Sequence, residues 1–239
     1  MEVGQASTFG IIIAISKGFP FTVIGNLSDV DAANPNIALI VSADSPIRTA
    51  KDLEGKTIAS TTLQDSNTIA TLLWLQQRGV DTSTLKAVEV PAAASLAALE
   101  QNRITAATIY EPFYSAFQST GKIRVLGFPY EAIGKHFSSS LIVADPKWVA
   151  AKRDTLNRFL QATDESATYV AAHESETAVV SARFLGIEPA QMKSVRHPIR
   201  GTAISASEIQ PLIDVALKFK VIPRMLAPDE IICSCAFRK

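Results

Sequence analysis

The chain has 239 residues, of which 47% are hydrophobic and 19% are charged, as is typical of a globular protein with one large or two smaller cores. Its 23 basic and 23 acidic residues give a formal net charge of zero, so no overall positive field attracts nucleic acid or an acidic membrane. The sequence predicts neither a membrane span, because no apolar run reaches about 18 residues, nor a secretory signal, because the start Met1-Glu2 is acidic.

In chain order, the hydrophobic pattern predicts strands and helices in alternation. Strands are expected at 21–25, 37–41, 57–60, 87–90, 106–109, 123–127 and 138–144, and helices at 9–15, 67–78, 92–102 and 113–119. Such alternation is typical of a mostly parallel sheet with helices on both faces. Beyond this point helices are expected at 146–171 and 174–185, from Pro189 onward, and at 205–219, where Ser205-Ala206-Ser207-Glu208 has the pattern of a capping box.

Two continuous apolar runs, 37–41 and 141–144, enclose the alternating part of the chain. We interpret both as crossover strands that join two lobes. This interpretation predicts a discontinuous lobe I from residues 1–41 and 141–239, and a lobe II from residues 42–140. Two connecting strands form a hinge, and the cleft between two lobes is a common place for a small ligand.

The strongest functional signal lies where the strand at 106–109 ends, in Thr108-Ile109-Tyr110-Glu111-Pro112-Phe113. Proline cannot continue the ladder, and the carboxyl end of a strand is where open α/β sheets bind ligands. Glu111 could therefore accept a hydrogen bond from an amine or ring N–H of a ligand, and it would repel a bare dianion. The alternative is that Glu111 only ends the strand.

Two motifs together, Asp52-Leu53-Glu54-Gly55-Lys56-Thr57-Ile58-Ala59 and Tyr110-Glu111-Pro112-Phe113, resemble the solute-binding proteins of nitrate, sulfonate and taurine ABC importers. The resemblance extends over about residues 4–187. It implies a two-lobed, periplasmic-binding-protein-like (type II) α/β fold that holds a small anionic or zwitterionic solute in the interlobe cleft, with no enzymatic activity and no cofactor. The partners it implies are an ABC permease and ATPase, and the location is periplasmic or lipid-anchored and extracytoplasmic. Family members normally begin with a strand, a helix and a strand that this chain lacks, so lobe I is expected to be incomplete.

The resemblance also implies ligand-binding residues in loops that precede helices. Backbone N–H groups and short hydroxyl side chains at a helix N-terminus can hold an anion without a net positive charge. Each such residue could equally be an ordinary cap. The residues predicted to bind ligand are Gln5, Ser7 and Thr8 in lobe I, Gln64, Ser66, Asn67 and Glu111 in lobe II, and Ser139 on the returning strand. The basic group Arg196, His197 and Arg200 could also reach an anion, although a solvated helix end explains it better.

Cys233 and Cys235 are separated by one residue, which is neither the zinc nor the redox spacing, so we expect them to be incidental residues of the tail. His136, His173 and His197 are too scattered along the sequence to predict a metal site. An alternative function is a thiamine-pyrimidine biosynthesis enzyme, or a pyrimidine-precursor-binding protein, of the same fold. The resemblance to the iron-using synthases implies a cysteine-rich cluster in mid-chain, whereas both cysteines here lie near the end.

Overall fold

The computed structural model describes residues 2–63, 65–185, 189–192, 195 and 201–237. The strands in these residues are β1 (Val3–Ser7), β2 (Thr22–Asp31), β3 (Ile37–Ser42), β4 (Thr57–Ser60), β5 (Lys86–Glu89), β6 (Ala106–Tyr110), β7 (Ile123–Gly127) and β8 (His136–Ala144). The helices are α1 (Thr8–Ser16), α2 (Ser66–Gln77), α3 (Ala92–Glu100), α4 (Phe113–Ser119), α5 (Pro146–Ala151), α6 (Arg153–Ala172), α7 (Glu174–Leu185), α8 (Pro189–Met192), α9 (Ala206–Lys218) and α10 (Pro228–Ile231). Short 3₁₀ helices lie at Ala50–Leu53, Thr82–Thr84 and Pro129–Ala132. None of the described helices is both long and apolar enough to cross a membrane.

Four elements differ from the prediction. Residues Val3–Ser7 form strand β1, where a loop before a helix was expected, because they pair with β8. The strand expected at 21–25 continues to Asp31, because its polar second half pairs with β8 instead of forming a loop. The helix expected at 146–171 is two helices, since Lys152 has the non-helical backbone angles φ −129° and ψ 40°. The short helix α10 was not predicted.

The chain divides into two compact units, each made of discontinuous segments. Unit 1 contains residues 1–31, 135–177 and 198–239, and unit 2 contains residues 32–134 and 178–197. The chain passes between the units earlier than the predicted boundaries at 41/42 and 140/141. The reason is that β3 pairs within the sheet of unit 2, and β8 pairs from its first residue within the sheet of unit 1.

Unit 1 is built on a three-stranded sheet in the order β1-β8-β2, and both pairings are antiparallel. Helices α1 and α9 contact each other and β8. Residues from the sheet and from α5 and α6 form one apolar cluster, whose buried members are Ile24, Ile142, Ala144, Val149, Leu156 and Leu160. The central strand β8 is therefore held by helices as well as by both neighbouring strands.

The C-terminal residues belong to this core. Ile232 and Ala236 are buried, and the backbone N–H of Cys233 donates to the carbonyl of Val23 at 2.8 Å. Cys233 and Cys235 form a disulfide, and both pack against the apolar cluster of unit 1. The prediction that the cysteines are incidental was wrong, because the disulfide between them closes a turn that packs against the core of unit 1. A spacing of one residue between two cysteines gives no recognisable sequence signal for this bond.

Unit 2 is built on a five-stranded sheet in the order β5-β4-β6-β3-β7. Strand β4 pairs parallel with β5 and β6, whereas β3 pairs antiparallel with β6 and β7. The sheet of unit 2 is therefore mixed and the sheet of unit 1 is antiparallel, so the sheets are not mostly parallel. The expectation failed because β3 and β8 each run opposite to both of their neighbours.

Strand β3 explains the apolar run at 37–41. Ala38 and Ile40 join one buried cluster of unit 2, while Leu39 and Val41 join the other. Since successive side chains of a strand point to opposite faces, β3 is buried on both faces of the sheet. Full burial of a side chain such as Leu39, Ile40 or Val41 contributes about 1.5–3 kcal/mol to the stability of the fold. Because its residues join both buried clusters, β3 lies at the centre of unit 2.

Candidate ligand-binding site

Polar side chains of unit 2 gather where the parallel strands end. Ser60 is the last residue of β4, Glu111 directly follows β6, and Ser66 is the first residue of α2. The carboxyl ends of parallel strands and the start of the following helix form the usual ligand-binding edge of such sheets. The structure thus places three short polar segments at the edge that the sequence indicates.

Asp65, which was not predicted, is the N-cap of α2. Its Oδ1 accepts a hydrogen bond from the backbone N–H of Thr68 at 2.9 Å, and its carboxylate also accepts from the N–H of Asn67. Burial raises the pKa of Asp65, and these hydrogen bonds partly oppose the shift. The start of α2 therefore already holds a carboxylate, which disfavours a bare anion there and favours a group that carries N–H or O–H.

Two buried hydroxyl groups lie at this edge. Ser66 is 3% exposed and Ser60 is 6% exposed, and neither Oγ has a hydrogen-bond partner among the described residues. A buried polar group that lacks a partner costs about 1–3 kcal/mol. A polar molecule that forms hydrogen bonds with these hydroxyl groups would recover that cost. This gives a physical reason to expect a ligand contact at Ser66, which is one of the residues predicted to bind ligand.

Asn67 is positioned by Tyr130, another residue that the sequence did not predict. The Tyr130 hydroxyl donates to Asn67 Oδ1 at 2.6 Å. Burial, with a smaller contribution from the negative charge of Asp65, raises the pKa of Tyr130, so the phenol stays protonated and remains a donor. Because Oδ1 faces Tyr130, the amide N–H₂ of Asn67 is the group that can meet a ligand.

Glu111 has a local structural role. Its Oε2 accepts from the backbone N–H of Ser115 at 3.1 Å, and its Oε1 accepts from the Ser115 hydroxyl at 2.7 Å. The carboxylate thus stabilises the first turn of α4, where negative charge is favourable. This contact explains why an acid follows β6, and a contact between Glu111 and a ligand stays a prediction.

In unit 1, Ser7 caps α1 as expected, with its Oγ accepting from the N–H of Gly10 at 3.2 Å. Thr8 is completely buried, and its hydroxyl donates to the carbonyl of Ser138 at 2.7 Å, so it is an internal tie between α1 and β8. The first turn of α1 contains no acidic residue. The start of α1 is therefore electrostatically unlike the start of α2, because no carboxylate compensates its positive dipole end.

Gln5 lies in β1, two residues before Ser7, and it lines a cavity of unit 1. Its Nε2 donates to Ser140 Oγ at 2.6 Å, at a cavity of about 440 Å³. The cavity is lined by Gln5, Asn26, Leu27, Ser28, Ser140, Thr163, Ser166, Ala167, Val170 and Gly201. Ser7, Thr8 and Ser139 are not among these residues, and the Ser139 hydroxyl pairs with Ser28 Oγ at 2.9 Å. This cavity therefore includes Gln5 but not Ser7, Thr8 or Ser139, and a contact between these residues and a ligand stays a prediction.

Four residues proposed from the sequence lie outside the described residues: Gln64, Arg196, His197 and Arg200. Their contribution to binding stays a prediction.

We expect Asp65→Asn to stabilise the protein at neutral pH. The pKa of Asp65 is higher in the folded than in the unfolded state, so its ionisation lowers the stability of the folded protein as the pH rises through these two pKa values. Asparagine is a nearly equal N-cap and carries no charge. The gain should be about 1 kcal/mol or less at pH 7 and should shrink towards pH 4. Urea unfolding of both proteins at the two pH values checks this, and a gain that grows on acidification would contradict it.

Comparison with protein families gives a match to the family described as NMT1/THI5 like, over residues 1–177. A relative from Escherichia coli (strain K12), named as an aliphatic sulfonates-binding protein, is 28% identical over 127 residues. That match covers 53% of this chain and 38% of the relative, so it spans well under half of the relative's length.

Solved structures show the same fold. The periplasmic aliphatic sulphonate binding protein SsuA from Escherichia coli has a TM-score of 0.79 at 20% identity, covering 97% of this chain and 79% of that chain. The alkanesulfonate-binding protein SsuA from Xanthomonas axonopodis pv. citri, bound to MOPS, has a TM-score of 0.80 at 18% identity, covering 100% and 81%. The desulfurization enzyme DSZB has a TM-score of 0.72 at 14% identity, covering 98% and 83%. These similarities confirm the predicted periplasmic-binding-protein-like α/β fold class.

Proposed function

Because the chain belongs to the NMT1/THI5-like family, we propose that it is the solute-binding component of an ABC importer. The solute is small and anionic or zwitterionic, such as an aliphatic sulfonate, taurine or a nitrate-like ion. An ABC permease and ATPase are the partners that receive it, and the protein acts outside the cytoplasm. The names of the sulfonate-binding relatives support this proposal.

The observation that carries the proposal is the pair of buried, unsatisfied hydroxyl groups of Ser60, at the end of β4, and Ser66, at the start of α2. Together with the amide of Asn67 they offer hydrogen-bond donors at the edge of the sheet where ligands bind in this class of fold. A site of fixed polar groups needs little rearrangement when a solute arrives, which suits reversible capture.

The start of α2 favours a solute that carries a hydrogen-bond donor over a simple anion. Its N-cap Asp65 places a carboxylate there, which suits an amine or hydroxyl group of the solute. Glu111, if it contacts the solute, adds to the same preference. We therefore rank an amino-sulfonate above nitrate. The cleft expected between the lobes stays a prediction from the sequence.

An enzyme of the same fold is the alternative, because DSZB shares the fold. The two cysteines of this chain are joined in a disulfide, and the described residues contain no free cysteine that could act as a thiolate nucleophile. A binding experiment that also follows the fate of the solute separates the two functions.

The test is a thermal-unfolding panel on the full chain with taurine, 2-hydroxyethanesulfonate, ethanesulfonate, nitrate and an aminopyrimidine. A solute present at 100 times its Kd adds about 2.7 kcal/mol of stability, which is a shift of several degrees in Tm. The proposal expects the largest shift with taurine and a measurable one with ethanesulfonate. A shift with the aminopyrimidine alone, or with none of the five, would overturn it.

Ser66→Ala should have opposite effects on stability and on binding. Removal of a buried hydroxyl that lacks a partner should leave the solute-free protein as stable or about 1 kcal/mol more stable. Loss of one hydrogen bond to the solute should weaken binding about two- to tenfold. Ser83→Ala, which alters an exposed serine of the same unit, is the control. If Ser66→Ala and the control bind the solute with equal affinity, Ser66 does not contact the solute.

A further inference from the structure

Three side chains from separate elements of unit 1 converge on one point. They are Asp29 near the end of β2, His136 at the start of β8 and Glu208 in the first turn of α9. His136 Nε2 lies 3.1 Å from Glu208 Oε1 and 3.7 Å from Asp29 Oδ2, and one ligand atom from each residue lies within 4.8 Å of the others. The scatter of the histidines along the sequence did not predict this group, because only the antiparallel pairing of β2 with β8 brings positions 29 and 136 together.

Both carboxylates are held through the oxygen that faces away from the histidine. Asp29 Oδ1 accepts from Asn26 Nδ2 at 2.6 Å and from the Ser138 hydroxyl at 3.1 Å, while Oδ2 is the oxygen that lies 3.7 Å from His136 Nε2. Glu208 Oε2 accepts from the backbone N–H of Ser205 at 2.9 Å, while Oε1 is the oxygen that lies 3.1 Å from the same nitrogen. In metal sites, neighbouring groups regularly form hydrogen bonds with the ligating side chains and so fix their orientation.

We propose that Asp29, His136 and Glu208 form a binding site for a divalent transition-metal ion, with Zn²⁺ the best match. One imidazole nitrogen and two carboxylate oxygens are ligands that Zn²⁺ accepts at about 2.0–2.2 Å, which in a tetrahedron separates neighbouring ligand atoms by about 3.3–3.5 Å. The distances of 3.1 and 3.7 Å from His136 Nε2 bracket that separation. Three protein ligands leave a fourth position for water.

Burial and access also suit an ion. Asp29 and Glu208 are 1% and 5% exposed, whereas the side chain of His136 is 42% exposed, so the ion reaches the carboxylates past the histidine. The bound ion would fix the end of β2, the start of β8 and the first turn of α9 to one another. The end of β2 and the start of β8 are also where the chain first leaves unit 1 and returns to it. The proposal does not depend on the identity of the solute or on the importer function.

The test uses untagged full-length protein, treated with a chelator and dialysed, titrated with Zn²⁺ by calorimetry and melted with and without the ion. We expect binding of one ion per chain, a higher Tm with Zn²⁺, and a loss of at least tenfold in affinity for His136→Gln, because loss of a residue that only orients a ligand already weakens a metal site about 10–100-fold. His173→Gln is the matched control, since it removes another exposed histidine of unit 1.

A second variant guards against loss of folding. Glu208→Gln keeps a side chain that can accept from the Ser205 N–H, because glutamine also serves in a capping box, but it removes the anionic ligand. We expect this variant to melt close to wild type without metal and to bind Zn²⁺ at least tenfold more weakly. No binding by the wild type, or equal binding by wild type, His136→Gln and Glu208→Gln, would overturn the proposal.

Discussion

Gly127→Ala is expected to destabilise the protein by about 2–3 kcal/mol or more, the upper part of the range for overpacking. A Cβ built on Gly127, in β7, would lie 2.0 Å from Cζ2 of Trp74 and 2.7 Å from two further indole atoms. Displacement of the indole is opposed by its burial, since Trp74 is 3% exposed, and by the Arg78 guanidinium, which stacks 3.7 Å from its ring centroid. Urea unfolding measures the change in the free energy of unfolding.

A double-mutant cycle identifies the cause. Trp74→Leu alone should also destabilise unit 2, because it removes buried aromatic area, but the combination Trp74→Leu with Gly127→Ala should cost less than the sum of the two changes by about 0.5–3 kcal/mol. Strict additivity would show that the methyl group does not meet the indole. A wild-type unfolding midpoint for Gly127→Ala would show that β7 and α2 are packed differently.

Glu111→Gln should weaken taurine binding by about ten- to over a hundredfold, or about 1.5–3 kcal/mol, the value of a hydrogen bond to a charged group. Glutamine keeps the size of the side chain and can still pair with the N–H and hydroxyl of Ser115, so the first turn of α4 should be retained. The loss should be clearly smaller for ethanesulfonate, which has no amine for the carboxylate to meet. Calorimetry with both solutes checks this.

Ser115→Ala is the matched control for Glu111→Gln. It removes the hydroxyl that Glu111 accepts from but leaves the carboxylate charge in place. If Glu111 only stabilises the start of α4, the two variants should change stability and affinity alike. If Glu111→Gln binds taurine as tightly as the wild type, Glu111 does not contact the solute and only stabilises the start of α4.

The sequence predicted elements best where turn-forming residues mark both ends. The bounds of α4 and β7 match the expected 113–119 and 123–127, because Pro112, Gly121 and Gly127 lie at or near their ends, and β4 matches the expected 57–60 with Gly55 close before its start. The second half of β2 was missed because its buried side chains include Asn26 and Asp29, which a hydrophobic pattern assigns to a loop. Polar strands of this kind are recognised only through their partners.

The candidate site could be predicted only in part, for a similar reason. Ser66 and Asn67 were proposed because they lie at the start of an apolar helix, and Asp65 could have been proposed as the common N-cap residue before it. Tyr130 could not, since it is distant in sequence and its hydroxyl reaches Asn67 only in the folded unit. The group formed by Asp29, His136 and Glu208 likewise exists only through tertiary pairing, and single-residue patterns do not contain it.

The central claim is that this chain binds a small sulfonate reversibly and leaves it chemically unchanged. Calorimetric titration of the full chain with taurine, followed by NMR of the solute recovered after denaturing the protein, measures both parts at once. The account predicts saturable binding with about one site per chain and complete recovery of intact taurine. Absence of binding, or recovery of a converted product in place of taurine, would contradict it.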